Sequence, residues 1–304
     1  MKADLSLDVV IVSYRSRELL RACLGSVVDN PPACPQTVQV VDNASGDGTP
    51  EMVRREFPRV RLTLSPQNLG FSKANNLAIA RGEAPYVLAL NPDTRLEPGT
   101  LDALLELMER DPRIAVSGPA LRQPDGTFDH AGKRSFPTPL SALGHFLKVG
   151  RRLDSGPLAD YRAPAVESGP VDAVNGAFML MRRSAFEQVG GFDEGYWMYM
   201  EDLDLCYRFA EAGWLTWYEP SVETMHVKAG SSGRARGWRL NYAFHYGMFR
   251  FYRKHYAASR PLALNLLVYA GIALKLLFSA ATSSLRRVAA RISRRPSPSG
   301  PPAA

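Results

Sequence analysis

The chain has 304 residues, 45% hydrophobic and 22% charged, which suits one large α/β domain with an appendage and excludes a disordered or fibrous protein. Its formal charge of +7 is concentrated late, in Arg234, Arg236, Arg239, Arg250, Arg253, Lys254, Arg286, Arg287, Arg291, Arg294 and Arg295. A basic end beside an apolar run favours an anionic membrane surface as partner and argues against nucleic acid.

In chain order, MKADLSLDVVIVSY has no long apolar segment and no small-residue cleavage site, so no signal peptide is expected there. Apolar runs of strand length then alternate with helical patterns: VVIVSY (9–14), a helix from about 16, TVQVVD (37–42), a helix from about 49, RVRLTLS (59–65), SKANNLAIARG (72–82), YVLALN (86–91), a helix over 98–112 and IAVSGP (114–119). This alternation predicts βαβ units on a mainly parallel central sheet flanked by helices. Residues 120–170 are rich in Gly, Pro and charge and read as long loops with a short helix near 140–148. VDAVNGAFMLMRR (171–183) reads as one strand, followed by a short helix at 184–189, a helix from 201 to 212, the strands WLTWYE and VETMHV, a mobile Gly, Ser and Arg segment at 230–237, and two helices. Cys23, Cys34 and Cys206 are odd in number and lack CxxC spacing, so neither a disulfide framework nor a zinc site is expected and a reducing cytosol fits.

In parallel sheets ligands sit beyond the carboxyl ends of the strands. The residues there are Ser13 and Tyr14, Asp42 and Asn43, and Asn91 to Asp93. Asp42 can serve as a turn former or accept hydrogen bonds from a nucleotide base or ribose. Asp93 can cap a turn or face a hard divalent ion, which takes one or two protein carboxylates and leaves the rest to phosphates and water. Glu201, Asp202 and Asp204 can stabilise a helix start or supply a general base, with Trp197 and Tyr199 beside them as a wall for a sugar ring. His226 ends a short strand and becomes a metal ligand if it shares a site with Asp93. Neither GxGxxG nor GxxxxGK[ST] occurs, which speaks against dinucleotide cofactors and P-loop chemistry.

VVIVSY, VVDNASGDGT, QNLGFSKANN, LNPDT, VNGAFMLMRRSAFEQVGGFDE, YMEDLDLCYR, HVKAGSS and FRFYRKHY, in this order from Val9 to Tyr256, resemble family 2 glycosyltransferases of the GT-A fold and their bacterial rhamnosyltransferase-like branch. The resemblance implies an inverting transfer of a sugar, rhamnose from dTDP-rhamnose as leading donor, to a glycan or polyprenyl-linked acceptor in cell-surface polysaccharide synthesis. It implies that Asp42 recognises the base, that Asn68, Gly70, Phe71 and Asn75 line the nucleotide, and that Asp93, with Asn91 in the first position of DxD, holds Mg²⁺ or Mn²⁺. Asp202 is implied as base, supported by Glu201 and Asp204, and His226 as a further metal or diphosphate ligand. Arg15 departs from the Asn common after SY. A pyrophosphorylase would show a Gly-rich loop after the first strand, which SYRSRELL lacks; a non-catalytic scaffold conflicts with the joint presence of Asp93, Asp202 and His226.

The expected organisation is a transferase domain over 1–257, apolar and basic helices over 258–291 and a disordered tail over 292–304. The run at 261–281 is nearly as long as the ~20 residues of a spanning helix, but Asn265 and Lys275 interrupt it. An interfacial helix on the inner face of the cell membrane is therefore the expectation, with packing on protein as the alternative.

Overall fold

A computed structural model describes residues 5–138, 167–228 and 237–293. They fall into two compact units, Met1–Ala229 and Gly230–Ala304. The expected helix near 140–148, the mobile segment at 230–236 and the tail from 294 lie outside the described residues.

In the first unit, β1 (Leu7–Ser13), α1 (Arg17–Asp29), β2 (Gln36–Asp42), α2 (Thr49–Glu56), β3 (Arg61–Leu64), α3 (Phe71–Ile79) and β4 (Tyr86–Leu90) alternate as expected. Leu7, Val9, Val10 and Ile11 of β1 are fully buried, as the continuous apolar run requires of a strand covered on both faces. Helix α1 buries Leu20, Cys23, Leu24 and Val27, the one-stripe spacing of an amphipathic helix. Strands β3, β2, β1 and β4 are parallel neighbours, so Asp42, Ser13 and the residues after Leu90 come to one edge.

Beyond β4 the sheet becomes mixed. The remaining elements are β5 (Thr94–Leu96), α4 (Thr100–Arg110), β6 (Ile114–Arg122), β7 (Lys133–Arg134), β8 (Gly169–Val171), β9 (Ala173–Val174), β10 (Phe178–Arg182), α5 (Arg183–Gln188), α6 (Glu201–Glu211) and β11 (Leu215–His226). The large sheet runs β3-β2-β1-β4-β10-β6-β11-β5, with β8 also on β11. Strand β10 lies antiparallel to both β4 and β6. A second, two-stranded sheet joins β7 to β9.

Two expectations change. The run 171–183 is divided among β8, β9 and β10; between β9 and β10 the Asn175 side chain accepts the Ala177 N–H at 2.8 Å and its carbonyl accepts the Phe178 N–H at 3.1 Å, turning the chain at Gly176. Conversely, WLTWYE and VETMHV form one strand, β11, whose register on β6 shifts between Glu219 and Glu223 around Pro220.

The second unit holds α7 (Trp238–His255), a single 3₁₀ turn (Ala257–Ser259) and α8 (Leu262–Ser293). Within this unit α7 packs on α8. The Tyr252 hydroxyl donates to Asn265 Oδ1 at 2.7 Å, Ser279 Oγ donates to Asn241 Oδ1 at 2.9 Å, and the Phe249 and Tyr269 rings lie 5.0 Å apart. Asn265 also donates to the Ala257 carbonyl at 2.9 Å, so its amide is satisfied inside the unit. Leu262–Ser283 is 22 residues long, and by length and composition it can cross a membrane.

Candidate active site

The donor side is built from turns after β1 and β2. Ser13 is fully buried; its Oγ lies 3.0 Å from Ser16 Oγ, and its carbonyl accepts the Asn43 N–H at 2.8 Å. Tyr14 is exposed, with the Arg15 guanidinium 5.3 Å from its ring centre. Arg15 itself sits at φ 52°, and its N–H donates to Ser45 Oγ at 3.0 Å. Asp42 is buried and Oδ2 accepts the Ser45 N–H at 3.3 Å, but Oδ1 is buried without a partner. A buried carboxylate oxygen left unpaired is costly, and a nucleotide base or ribose would supply its donor.

Asn43 is committed to the scaffold. Its amide donates to Asn68 Oδ1 (3.1 Å) and the Gly70 carbonyl (3.0 Å), and its oxygen accepts the Leu69 N–H (2.8 Å). Asn68 also accepts the Gly70 N–H at 2.9 Å. Gly70 has φ 82°, and a Cβ there would lie 2.2 Å from the Trp197 carbonyl, so only glycine lets the two loops meet. The Phe71 N–H donates to that carbonyl at 2.8 Å, and Asn75 donates to the Phe71 carbonyl at 3.0 Å. The Trp197 indole leans on the same loop, donating to the Asn68 carbonyl at 3.4 Å.

Asp93 and His226 do come together. Antiparallel pairing of β5 with β11 sets Thr94 opposite His226, and Asp93 Oδ1 lies 3.6 Å from His226 Nε2. Asn91 anchors the turn: its N–H donates to the Ala177 carbonyl at 2.9 Å and its carbonyl accepts the Thr94 hydroxyl at 2.7 Å. Behind the imidazole, Asp129 Oδ2 is 3.1 Å from His226 Nδ1 and Oδ1 accepts Lys228 Nζ at 2.6 Å. Burial opposes the charge of Asp129, but these partners and the Ala131 N–H hold it at about 2. Burial likewise works to lower His226, yet the bonds and charges of Asp129 and Asp93 raise it to about 9.

This donor set fits a divalent ion. Two ligand bonds of ~2.1 Å each span 3.6 Å, and a carboxylate behind the outer imidazole nitrogen is the usual support of a metal-bound histidine. Among the described residues no cluster of three or more His, Cys, Asp or Glu could cage an ion, so the remaining positions would fall to phosphate oxygens and water.

The three carboxylates of α6 have three different fates. Tyr199 and Met200 both sit at φ 71°, a conformation that costs non-glycine residues roughly 1–3 kcal/mol each and aims the helix start. Asp202 Oδ2 accepts Arg134 Nη2 and the Gly176 N–H (2.8 Å), while Oδ1 accepts the Leu203 N–H (2.8 Å) and keeps a second lone pair. Glu201 is buried, with Oε2 unpartnered, and burial followed by the Asp202 charge raises it far above the usual carboxylate range. Asp204 is fully buried, paired with Arg208 Nε at 2.8 Å and 3.3 Å from the Tyr196 hydroxyl.

The two ends of the site are contiguous through residues 175–177: Ala177 bonds Asn91, and Gly176 bonds Asp202. The glycosyl transferase family 2 profile matches residues 8–190, and the profile for the N-terminal domain of galactosyltransferase matches residues 167–228. An N-acetylglucosaminyl-diphospho-decaprenol L-rhamnosyltransferase of Mycobacterium tuberculosis is 40% identical over 242 residues, 75% of this chain and 78% of that one. The chain belongs to glycosyl transferase family 2. Within it the protein is rhamnosyltransferase-like: the rhamnosyltransferase WbbL of Escherichia coli is a further relative, 31% identical over 58% of this chain and 69% of its own. The fold is shared with the Pyrobaculum calidifontis mannosyltransferase PcManGT, solved with GDP-Man and Mn²⁺, at a TM-score of 0.56 and 18% identity over 95% of the transferase and 76% of PcManGT.

The residues that the sequence alone does not single out are Asp129, Arg134, Lys228 and the Asn175–Gly176 turn of this glycosyltransferase. Asp129 and Arg134 lie in a Gly- and charge-rich stretch that reads as surface loop, and no motif spacing links them to His226 or Asp202.

Proposed function

We propose that this glycosyltransferase moves L-rhamnose from a nucleoside diphosphate donor, dTDP-rhamnose first among candidates, to a sugar on a polyprenyl diphosphate, with inversion at the anomeric carbon. The observation that carries the reading is the meeting of Asp93 and His226, 3.6 Å apart and backed by Asp129, at the same sheet edge as the unpaired oxygen of Asp42. Identity of 40% to a decaprenol-linked L-rhamnosyltransferase supports the sugar and the acceptor class.

Asp42 accepts from the base or ribose, and the loop 68–71 closes on the nucleotide. Asp93 and His226 would hold Mg²⁺ or Mn²⁺, which supplies charge neutralisation at the departing diphosphate. Asp202, oriented by three donors, uses its free Oδ1 lone pair to take the proton of the acceptor hydroxyl as that oxygen attacks. Trp197 and Tyr199 flank the acceptor side. Helix α8, with Leu266, Leu267, Leu274, Leu277 and Phe278 exposed, attaches the enzyme to the cytoplasmic face of the membrane, and the late arginine cluster of the sequence supplies positive charge for anionic head groups.

The test is a panel of nucleotide sugars, measured for thermal stabilisation and for transfer to a short polyprenyl-diphosphate sugar, each with Mn²⁺ or EDTA. Stabilisation and turnover with dTDP-rhamnose, lost on EDTA treatment or in Asp93→Ala, are expected. Metal-independent turnover overturns the cation assignment, and turnover with a different sugar alone overturns the donor. Full-length protein that ignores anionic liposomes at low salt overturns the membrane role.

A further inference from the structure

Five residues apart in sequence, a buried and a half-buried charged side chain reach opposite ends of the site. Asp129, with a side chain 1% exposed, spends one oxygen on His226 Nδ1 and the other on Lys228 Nζ. Arg134 spends Nη2 on Asp202 and on the Val174 carbonyl at 3.0 Å, while its Nε is buried with no partner. Between them the chain is clamped by its backbone. The Asp129 N–H donates to the Leu121 carbonyl at 2.8 Å, the Asp129 carbonyl accepts the Gly132 N–H at 2.8 Å, and the Gly132 carbonyl accepts the Asn175 N–H at 3.0 Å. The Asn175 amide donates to the Ala131 carbonyl at 3.0 Å, and Arg134 pairs in register with Ala173. Asn175 is followed by Gly176, whose N–H holds Asp202.

Stability does not explain this arrangement. Buried ion pairs are often no better than well-packed apolar side chains, and a guanidinium that leaves one N–H unpaired is worse placed still. What the two charges do is fix the orientation of a ring and of a carboxylate. The imidazole has its outer nitrogen held toward Asp129 and its other nitrogen turned to Asp93. The Asp202 carboxylate is gripped on Oδ2 by two donors, while Oδ1 carries one backbone donor, the Leu203 N–H, and keeps a second lone pair for a hydroxyl.

We propose that the turn Asp129–Arg134 is the positioning element of the site, Asp129 acting through the metal ligand His226 and Arg134 acting through the base Asp202. This rests on the roles proposed above for His226 and Asp202. The two arms have separate signatures, since one governs the cation and the other the proton transfer.

The experiment uses the full chain with dTDP for binding, and with dTDP-rhamnose, Mn²⁺ and a polyprenyl-diphosphate sugar for turnover. Asp129→Asn should weaken Mn²⁺ binding, read by electron paramagnetic resonance, by ~10–100-fold, with turnover recovering at saturating Mn²⁺. Arg134→Gln should lower kcat by ~10–100-fold and leave dTDP and Mn²⁺ affinities within about 2-fold, as expected of a misplaced reacting group. Added guanidinium should restore part of the rate of Arg134→Ala. Wild-type Mn²⁺ affinity in Asp129→Asn, wild-type kcat in Arg134→Gln, or both variants losing both readouts alike overturns the proposal. If Arg134→Gln melts below the assay temperature, Arg134→Lys, which keeps the charge and loses the fork, is judged on the same criteria. Asp202→Asn and Asp93→Ala are run alongside: if they retain full activity the underlying reading fails, whereas if they are impaired and the Asp129 and Arg134 variants are not, only the positioning claim falls.

Discussion

Asp42 and Asp202 are both buried carboxylates at the end of a regular element, yet their surroundings differ in kind. Asp42 has one short-range partner, the N–H of Ser45 three residues on, and one oxygen with none. Asp202 is gripped by Arg134, 68 residues away, and by the N–H of Gly176, 26 residues away. A carboxylate with an unmet acceptor is suited to binding, because a ligand that fills it recovers a desolvation cost already incurred. A carboxylate held by donors on both oxygens, with one acceptor position of Oδ1 left over, is suited to chemistry, where orientation matters more than binding energy. In the function proposed above, Asp42 therefore recognises the donor and Asp202 carries the reaction.

The comparison breaks most sharply at Asp202. Asp202→Asn keeps the shape of the helix start and should cut the transfer rate by ~10²–10⁴-fold while nucleotide affinity stays within about 2-fold, checked by initial rates and calorimetry. Full turnover would move the base elsewhere, with Glu201, whose carboxyl is raised by burial and by the Asp202 charge, as the next candidate.

Two residues along the same helix, Asp204→Asn should do the reverse. Removing one partner of a buried ion pair costs about 3–5 kcal/mol, so melting should drop by roughly 10 °C while the folded fraction keeps its kcat. A variant that melts normally but turns over slowly would return Asp204 to the chemistry. On the donor side, Asp42→Ala should weaken dTDP binding by about 1.5–3 kcal/mol, roughly 10–100-fold, with kcat at saturating donor nearly unchanged. A kcat defect there would erase the division between recognition and reaction.

The smallest effect is one of pH. His226 is raised from 6.5 to about 9, so the charge it gains on folding stabilises the metal-free protein fully below about pH 6.5, and that stability is lost as pH rises through about 9. A metal takes the neutral imidazole, so Mn²⁺ affinity should climb with pH up to about 9, by at most ~10-fold per unit, and binding near pH 7.5 should release close to one proton. Calorimetry in buffers of different ionisation heat measures that release. No proton release would remove His226 from the ligand set.

Part of the site is legible in the amino-acid order. The βαβ alternation brings Ser13, Asp42 and Asn91 to one edge because parallel strands with returning helices leave all their carboxyl ends on one side. The pairing of β5 with β11, which joins Asp93 to His226, spans 133 residues and has no local signal; only the family resemblance linked them. Asn43 and Asn68 look like ligand contacts in sequence, and the structure commits them to each other and to the backbone of 69 and 70.

What the sequence determined by itself is what depends on near neighbours: strand and helix periods, the turns at Asn43 to Thr49 and Asn91 to Asp93, and the acidic start of α6. Tertiary structure alone decided the roles of charges that sequence treats alike. Asp129 reads as a loop residue and is a buried support for His226, while Asp204 reads as part of the base cluster and is bound to Arg208. The reason is physical: a carboxylate's behaviour is set by the donors and dielectric around it, and those are supplied by residues that folding brings from tens of positions away.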